Sequence, residues 1–221
     1  MENPNSNSIQ CSLCHGKANW FCEFFREPID FYKCQNCKSI FKDKAHYPDF
    51  EFEKQRYLTH NNDVEDQQYQ SFVSPITDAV FNHYDSSKIG LDYGCGTGPV
   101  AAHVLKQKGY EVVLYDPFFY PDNSYALKKF DFIICCEVME HFHKPYEEFK
   151  HLSSLLKEQG ILFCKTNLIS DSISVDEFKN WYYKNDPTHV FFYSPTALDF
   201  IKTELGFQFL SFDEKLITFR S

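Results

Sequence analysis

The segment Gly90-Leu91-Asp92-Tyr93-Gly94-Cys95-Gly96-Thr97-Gly98-Pro99 constrains the fold more than any other stretch of the chain. Glycines at alternate positions follow a short apolar run and precede a helix start, the pattern of a strand–turn–helix whose bare backbone approaches a ligand. A second apolar run, Glu111-Val112-Val113-Leu114-Tyr115, leads into Asp116. A carboxylate at that strand end can hold ribose hydroxyls, so loop and acid together point to an adenosine-containing cofactor.

The rest of the C-terminal region keeps the same alternation. Strand-like runs near 88–93, 111–115, 131–136 and 160–165 are separated by helical segments near 99–108 and 146–157, which predicts a parallel sheet. Pro99 suits the first turn of the helix after the glycines, and Gly109 its end. Ser194-Pro195 opens a later helix that Gly206 closes. Two last runs, 206–210 and 215–219, are joined by so few residues that they must pair antiparallel. Asp131 follows Asp116 by only fifteen positions, with Pro117 and Pro121 between. A helix–strand–helix unit does not fit there.

The N-terminal region has a different logic. Cys11-Ser12-Leu13-Cys14 and Cys34-Gln35-Asn36-Cys37 flank nineteen residues with short strand-like runs, a zinc-ribbon spacing. Four thiolates can close a tetrahedron around Zn2+, and the metal then supplies folding energy that so small a segment cannot draw from burial. A closed four-sulfur set leaves no position for water, so Cys11, Cys14, Cys34 and Cys37 are expected to be structural. Cys22, Cys95, Cys135, Cys136 and Cys164 read as buried small residues without a catalytic role.

From Asp49 to about Tyr84 the chain is charged and helical, with Phe52, Tyr57, Tyr69, Phe72, Val73, Ile76, Val80 and Phe81 as an apolar stripe over two helices. Between them lies a polar cluster at 56–63, either functional or a solvated linker. The organisation expected is a zinc ribbon at 1–45, a helical cap or linker at 46–86 and a cofactor-binding domain at 87–221. A net charge of −9 gives no general attraction to nucleic acid and favours small or basic substrates. A polar start and the lack of any long apolar run predict a cytoplasmic protein with no membrane span.

A dinucleotide site wants Gly-x-Gly-x-x-Gly, whereas here the third glycine is Gly98 and Pro99 follows it. Asp92, two residues before Gly94, would repel a pyrophosphate and welcome a cationic methionine tail. Through Asp92-x-Gly94-x-Gly96-x-Gly98, Asp116 and the segment 130–141 with its Glu137-Val138-Met139-Glu140-His141, residues 88–220 resemble the class I S-adenosylmethionine-dependent methyltransferases. Arg56-Tyr57-x-x-His60-x-Asn62, Tyr115-Asp116-Pro117-Phe118-Phe119 and Asp186-Pro187-Thr188-His189-Val190-Phe191-Phe192-Tyr193 are also similar to a bacterial branch with an N-terminal zinc ribbon.

The resemblance implies a Rossmann-like sheet closed by an antiparallel hairpin. Gly94, Gly96 and Gly98 would face S-adenosylmethionine, with Asp92 by its amino-acid portion, Asp116 on the ribose and Glu137 near the methionine end. The family's third strand must be short or absent, so its adenine-contacting acid is not carried over to any position of this chain. Phe118 either packs on adenine or belongs to the core.

Methyl transfer is an in-line displacement at a sulfonium carbon, and an oxygen or nitrogen nucleophile can need a base. His60, His141 and His189 are the candidates, and His189 is favoured over His143. His141-Phe142-His143 has no adjacent carboxylate spacing that completes an open metal site. The function expected is methyl transfer to a small molecule. RNA methylation guided by the ribbon, and a non-catalytic interaction protein on a retired methyltransferase fold, are the alternatives.

Overall fold

The computed structural model describes residues 8–24, 28–59 and 63–221. Apolar runs that alternate with helices form a six-stranded sheet, built from β5 (Ile89–Tyr93), β6 (Glu111–Tyr115), β7 (Phe130–Cys136), β8 (Leu156–Lys165), β10 (Phe209–Phe212) and β11 (Ile217–Arg220). Its order is β10-β11-β8-β7-β5-β6. β5 to β8 run parallel, while β11 pairs antiparallel with β8 and with β10. β5 has β6 on one side and β7 on the other, so the strand order reverses there and a crevice opens at the carboxyl ends.

The punctuation acts close to where the residues place it. Helix α3 (Val100–Gln107) starts one residue after Pro99, which is its N-cap rather than part of its first turn. Gly109, at φ +88°, lies beyond its end. α4 (Pro145–Leu155) passes directly into β8, so the strand starts earlier than its apolar run does. α6 (Pro195–Glu204) is capped by Ser194, and Gly206 at φ +75° follows it. The hairpin strands begin two to three residues later than their apolar pattern suggests.

Between β6 and β7 only a bridge at Asp116–Tyr120 and a 3-10 turn at Asn123–Leu127 are found among the described residues. Tyr125 of that turn is buried against Tyr115 (ring centroids 4.2 Å apart). β6 is therefore an edge strand.

The N-terminal strands β1 (Ile9–Gln10), β2 (Lys17–Phe24), β3 (Ile29–Cys34) and β4 (Ile40–Lys42) form a second, antiparallel sheet. A strand from the far end of the chain, β9 (Phe191–Phe192), completes it by pairing with β4. Cys11, Leu13, Ala18, Tyr32 and Phe41 share one apolar core with Leu91, Phe149 and Tyr193. α5 (Val175–Asn180) buries Phe178 against Phe31 and Phe192 of this sheet.

Two further helices, α1 (Phe50–Leu58) and α2 (Gln67–His83), are N-capped by Asp49 and Asp66. Val73, Ile76 and Val80 of α2 are buried in a core shared with α3. Phe52 and Phe72, expected on the buried stripe, are 50% and 41% exposed.

Gly90 lies against the ring of Phe132, where a Cβ would fall 2.1 Å from the nearest ring carbon. Replacing it with Ala overpacks the centre of the sheet and is expected to cost about 1–3 kcal/mol, read as a lower urea midpoint of the full chain.

Candidate active site

A cleft of about 720 Å³ opens at the carboxyl ends of β5, β6 and β7. This is the size of a small-molecule site. Gly94 and Gly96 adopt φ of +78° and +66°, a region closed to most side chains. A Cβ on Gly94 would also come within 2.6 Å of Val138. The backbone N–H groups of Gly94 and Cys95 both donate to the Tyr115 carbonyl, which ties the loop to the end of β6.

Asp116 locks the same corner. Its Oδ2 accepts from Gly96 N–H (3.0 Å), and its Oδ1 accepts from Phe118 and Phe119 N–H (2.8 and 3.1 Å). Burial raises its pKa against these three bonds. Phe118 meets Phe50 and Tyr57 of α1 at 4.5 and 5.4 Å between ring centroids. Asp92 is buried, and loss of hydration pushes its carboxyl up to about 7 despite the Ala102 N–H and Lys106 nearby.

Past β7 the chain turns sharply, with Glu137 at φ +54°. Its Oε1 meets Lys165 Nζ at 3.1 Å, and its Oε2 lies 2.9 Å from the Tyr183 hydroxyl. The same hydroxyl bonds Glu140 Oε1 and lies 3.0 Å from Thr166 Oγ1. Glu140 is fully buried, and its carboxyl is pushed up to about 8 by burial and then by Glu137.

His141 and His189 face one another, ring centroids 4.8 Å apart, and both line the cleft. His141 Nδ1 lies 2.9 Å from the Thr188 carbonyl and 3.2 Å from the Tyr57 hydroxyl, and His189 Nδ1 lies 2.6 Å from the Tyr183 carbonyl. Burial lowers the pKa of His189, which favours its neutral form. Arg56 of α1 reaches Asp186 at 2.7 Å. Burial opposes ionisation of Asp186, but bonds from the Thr188 hydroxyl and N–H, with His189 and Arg56, hold its carboxyl well below the usual range.

The one cleft thus gathers Asp92, Gly94, Gly96, Gly98, Asp116, Phe118, Glu137, His141 and His189. His60 lies outside the described residues. His143 also reaches the cleft, but its Nε2 lies 3.3 Å from Glu53 and its ring packs on Tyr47. The carboxylate near His141 that spacing failed to supply is Glu140, and its second imidazole neighbour is His189, not His143. Glu140 and Tyr57 stood inside recognisable motifs. Tyr183 carried no signal, because only folding brings it to Glu137 and Glu140.

The four paired cysteines converge as well. Cys11 and Cys37 sulfurs lie 3.7 Å apart, Cys14 and Cys34 sulfurs 3.3 Å apart, and all four fall within 4.8 Å of one another. Bonds of about 2.3 Å to a tetrahedral zinc place sulfurs about 3.8 Å apart, so the set fits that ion. His15 and Lys38, each directly after a Cys-x-x-Cys pair, both adopt positive φ (56° and 60°), which gives the two turns the same shape.

The chain belongs to the methyltransferase-domain family, which matches residues 65–211. Its sheet has the α/β architecture of the class I methyltransferases, with a four-cysteine cluster at the N-terminal end. No curated protein sequence matches it. Among solved structures, 1,6-didemethyltoxoflavin-N1-methyltransferase of Burkholderia thailandensis, bound to 1,6-didemethyltoxoflavin and S-adenosylhomocysteine, is 12% identical, with 90% of this chain and 99% of that one covered at a TM-score of 0.55. An O-methyltransferase family protein of the same organism is also 12% identical, covering 76% of this chain at a TM-score of 0.52. This chain spans 61% of the length of that protein. No described helix is long and apolar enough to cross a membrane.

Because the folded chain holds Asp92 at about 7, while an unfolded Asp titrates near about 3.9, the folded state binds the extra proton and stability falls as pH rises between those values. Asp92→Asn is expected to flatten that part of a melting-temperature profile and to leave the part caused by Glu140.

Proposed function

We propose that this chain transfers a methyl group from S-adenosylmethionine to a small-molecule acceptor. One observation carries the reading: Glu53, Asp92, Asp116, Glu137, Glu148 and Asp186 line the cleft, and among the described residues no Lys or Arg does. Such a field repels the pyrophosphate of a dinucleotide, or an RNA backbone, and attracts a cofactor with a sulfonium and an ammonium group. The toxoflavin methyltransferase, which holds a small heterocycle and S-adenosylhomocysteine, supports the same reading at the level of fold.

In this proposal Gly94, Gly96 and Gly98 let the cofactor lie against backbone. Asp116 accepts from the ribose hydroxyls with lone pairs left over from its three backbone bonds, Asp92 and Glu137 face the methionine end, and Phe118 covers the adenine. Phe50, Tyr57, Tyr69 and Phe72 of the cap supply an aromatic wall that excludes water and suits a flat or apolar acceptor. His141 and His189 meet the acceptor's nucleophile, and their Nε2 atoms can take its proton. As the methyl carbon bonds to the acceptor, the sulfonium takes back its bonding pair and becomes a neutral thioether.

The four cysteines would hold a structural zinc ion in a ribbon at 1–45 that braces the cap at 46–86 against the domain at 87–221. The free thiols this requires suit a cytoplasmic protein of the bacterial zinc-ribbon branch.

Calorimetric titration of the zinc-loaded chain with S-adenosylmethionine is expected to show one site, and absence of binding rejects the reading. Asp116→Ala should weaken that site by on the order of 1.5–3 kcal/mol, since it removes charge-assisted bonds to cofactor and to the loop. Replacing Cys34 and Cys37 by Ser should lower the zinc content by about one ion per chain and destabilise the whole fold, given the shared core.

A further inference from the structure

We infer that Glu140, His141 and His189 form a second metal site, which takes a divalent first-row transition ion at the floor of the cleft and presents it to an oxygen of the acceptor. The part concerning the acceptor rests on the methyltransferase reading above. Ion binding itself does not.

Geometry supplies the first reason. Glu140 Oε1 lies 4.0 Å from His141 Nε2 and 3.9 Å from His189 Nε2, and one ligand atom from each residue falls within 4.8 Å of the others. Bonds of about 2.0–2.2 Å to such an ion place its ligand atoms about 3 Å apart, so the three groups need to close by roughly 1–2 Å.

The imidazoles are oriented for it. Each has Nδ1 directed at a backbone carbonyl, of Thr188 and of Tyr183. An Nδ1–H donated there fixes the tautomer with the Nε2 lone pair toward Glu140, the arrangement that metal-binding histidines share. Those carbonyls belong to one loop, and that loop is pinned to Glu140 by the Val190 N–H bond to the Glu140 carbonyl (2.9 Å).

An orphaned atom is the independent sign. Glu140 is 0% exposed, and its Oε2 is buried without a hydrogen-bond partner. Among the described residues the only basic groups within 4.0 Å of its carboxylate are the two imidazoles. Lys165 is paired with Glu137, Arg56 with Asp186, and Lys42 reaches the Pro187 carbonyl (2.7 Å). The Tyr183 hydroxyl satisfies Oε1 alone. A buried carboxylate costs several kcal/mol unless it is fully matched by charge or hydrogen bonds, and a bound cation supplies the rest of that match.

Two nitrogens and one oxygen favour Mn2+, Fe2+, Co2+ or Zn2+ over Mg2+ or Ca2+, which prefer oxygen alone. His141 and His189 line the cleft, so the positions left open on the ion face the acceptor. A hydroxyl bound there releases its proton to water more readily, and its oxygen then forms the bond to the methyl carbon while the sulfur–methyl bond breaks. With the ion in place the imidazoles are ligands, not bases.

The full chain is first loaded with zinc at the four cysteines and then titrated with Mn2+ and with Co2+, following the spin signal of free Mn2+ and the ligand-field bands of Co2+. One further ion per chain is expected, with no thiolate-to-cobalt charge transfer. Glu140→Gln and His189→Gln should each weaken its binding at least tenfold. In wild-type protein carrying 15N-histidine, spin-echo modulation of bound Mn2+ should show two imidazole nitrogens, which keeps the test valid if the variants misfold.

Failure of both ions to bind, binding untouched by either variant, or an echo without histidine nitrogen overturns the site. S-adenosylmethionine is titrated into the same samples. Cofactor binding without the second ion refutes this inference alone, and the second ion without cofactor binding refutes the methyltransferase reading alone.

Discussion

The pairing of β4 with β9 is the contact on which the rest of the site depends. Phe41 stacks on Phe191 with centroids 5.6 Å apart and planes 5° from parallel, and Ile40 sits opposite Phe192. Around this pair Lys42 N–H donates to the Val190 carbonyl and Ser194 Oγ to the Cys37 carbonyl (2.8 Å). Residues 186–190, which carry Asp186 and His189, are thereby hung between the N-terminal sheet and the cleft. A small sheet too short to fold by burial alone thus fixes where a histidine of the C-terminal half points.

Charge is distributed to match. The chain concentrates carboxylates at the carboxyl ends of the parallel strands, where backbone N–H groups of the glycine loop and of the turn after Asp116 already solvate one of them. The remaining acids are held at unequal cost: bonds and a cation outweigh burial at Asp186, while at Asp92 and Glu140 burial outweighs the bonds and charges that favour ionisation. Acids raised this way give up protons readily when a positive ligand arrives.

Much of this was legible from residues that act locally. Gly94, Asp116 and the Cys-x-x-Cys pairs announce themselves because a turn, a strand end and a metal knuckle each need a particular residue within a few positions. Pro99, Gly109 and Ser194 set helix ends for the same reason. The parts that were not legible join distant segments. Nothing in Phe191-Phe192 says that it completes a sheet begun at Ile9, and nothing in Tyr183 says that it bonds Glu140. Phe72 looked like core because its position on α2 has helical period, yet it stands over Lys165 Nζ (3.4 Å from the ring centroid) beside the cleft.

The edge position of β6 also bears on how quickly a bound molecule leaves. With no strand beyond it among the described residues, the wall next to Asp116 is made by Pro117 and Phe118 and by Phe50 and Tyr57 of α1. A sheet edge is fixed by its hydrogen-bond ladder, whereas this wall is held by rings that meet across two separate segments. Residence time in the cleft is then governed by how often those rings part, and a change on the outer surface of α1, far from any reacting atom, can lengthen or shorten it.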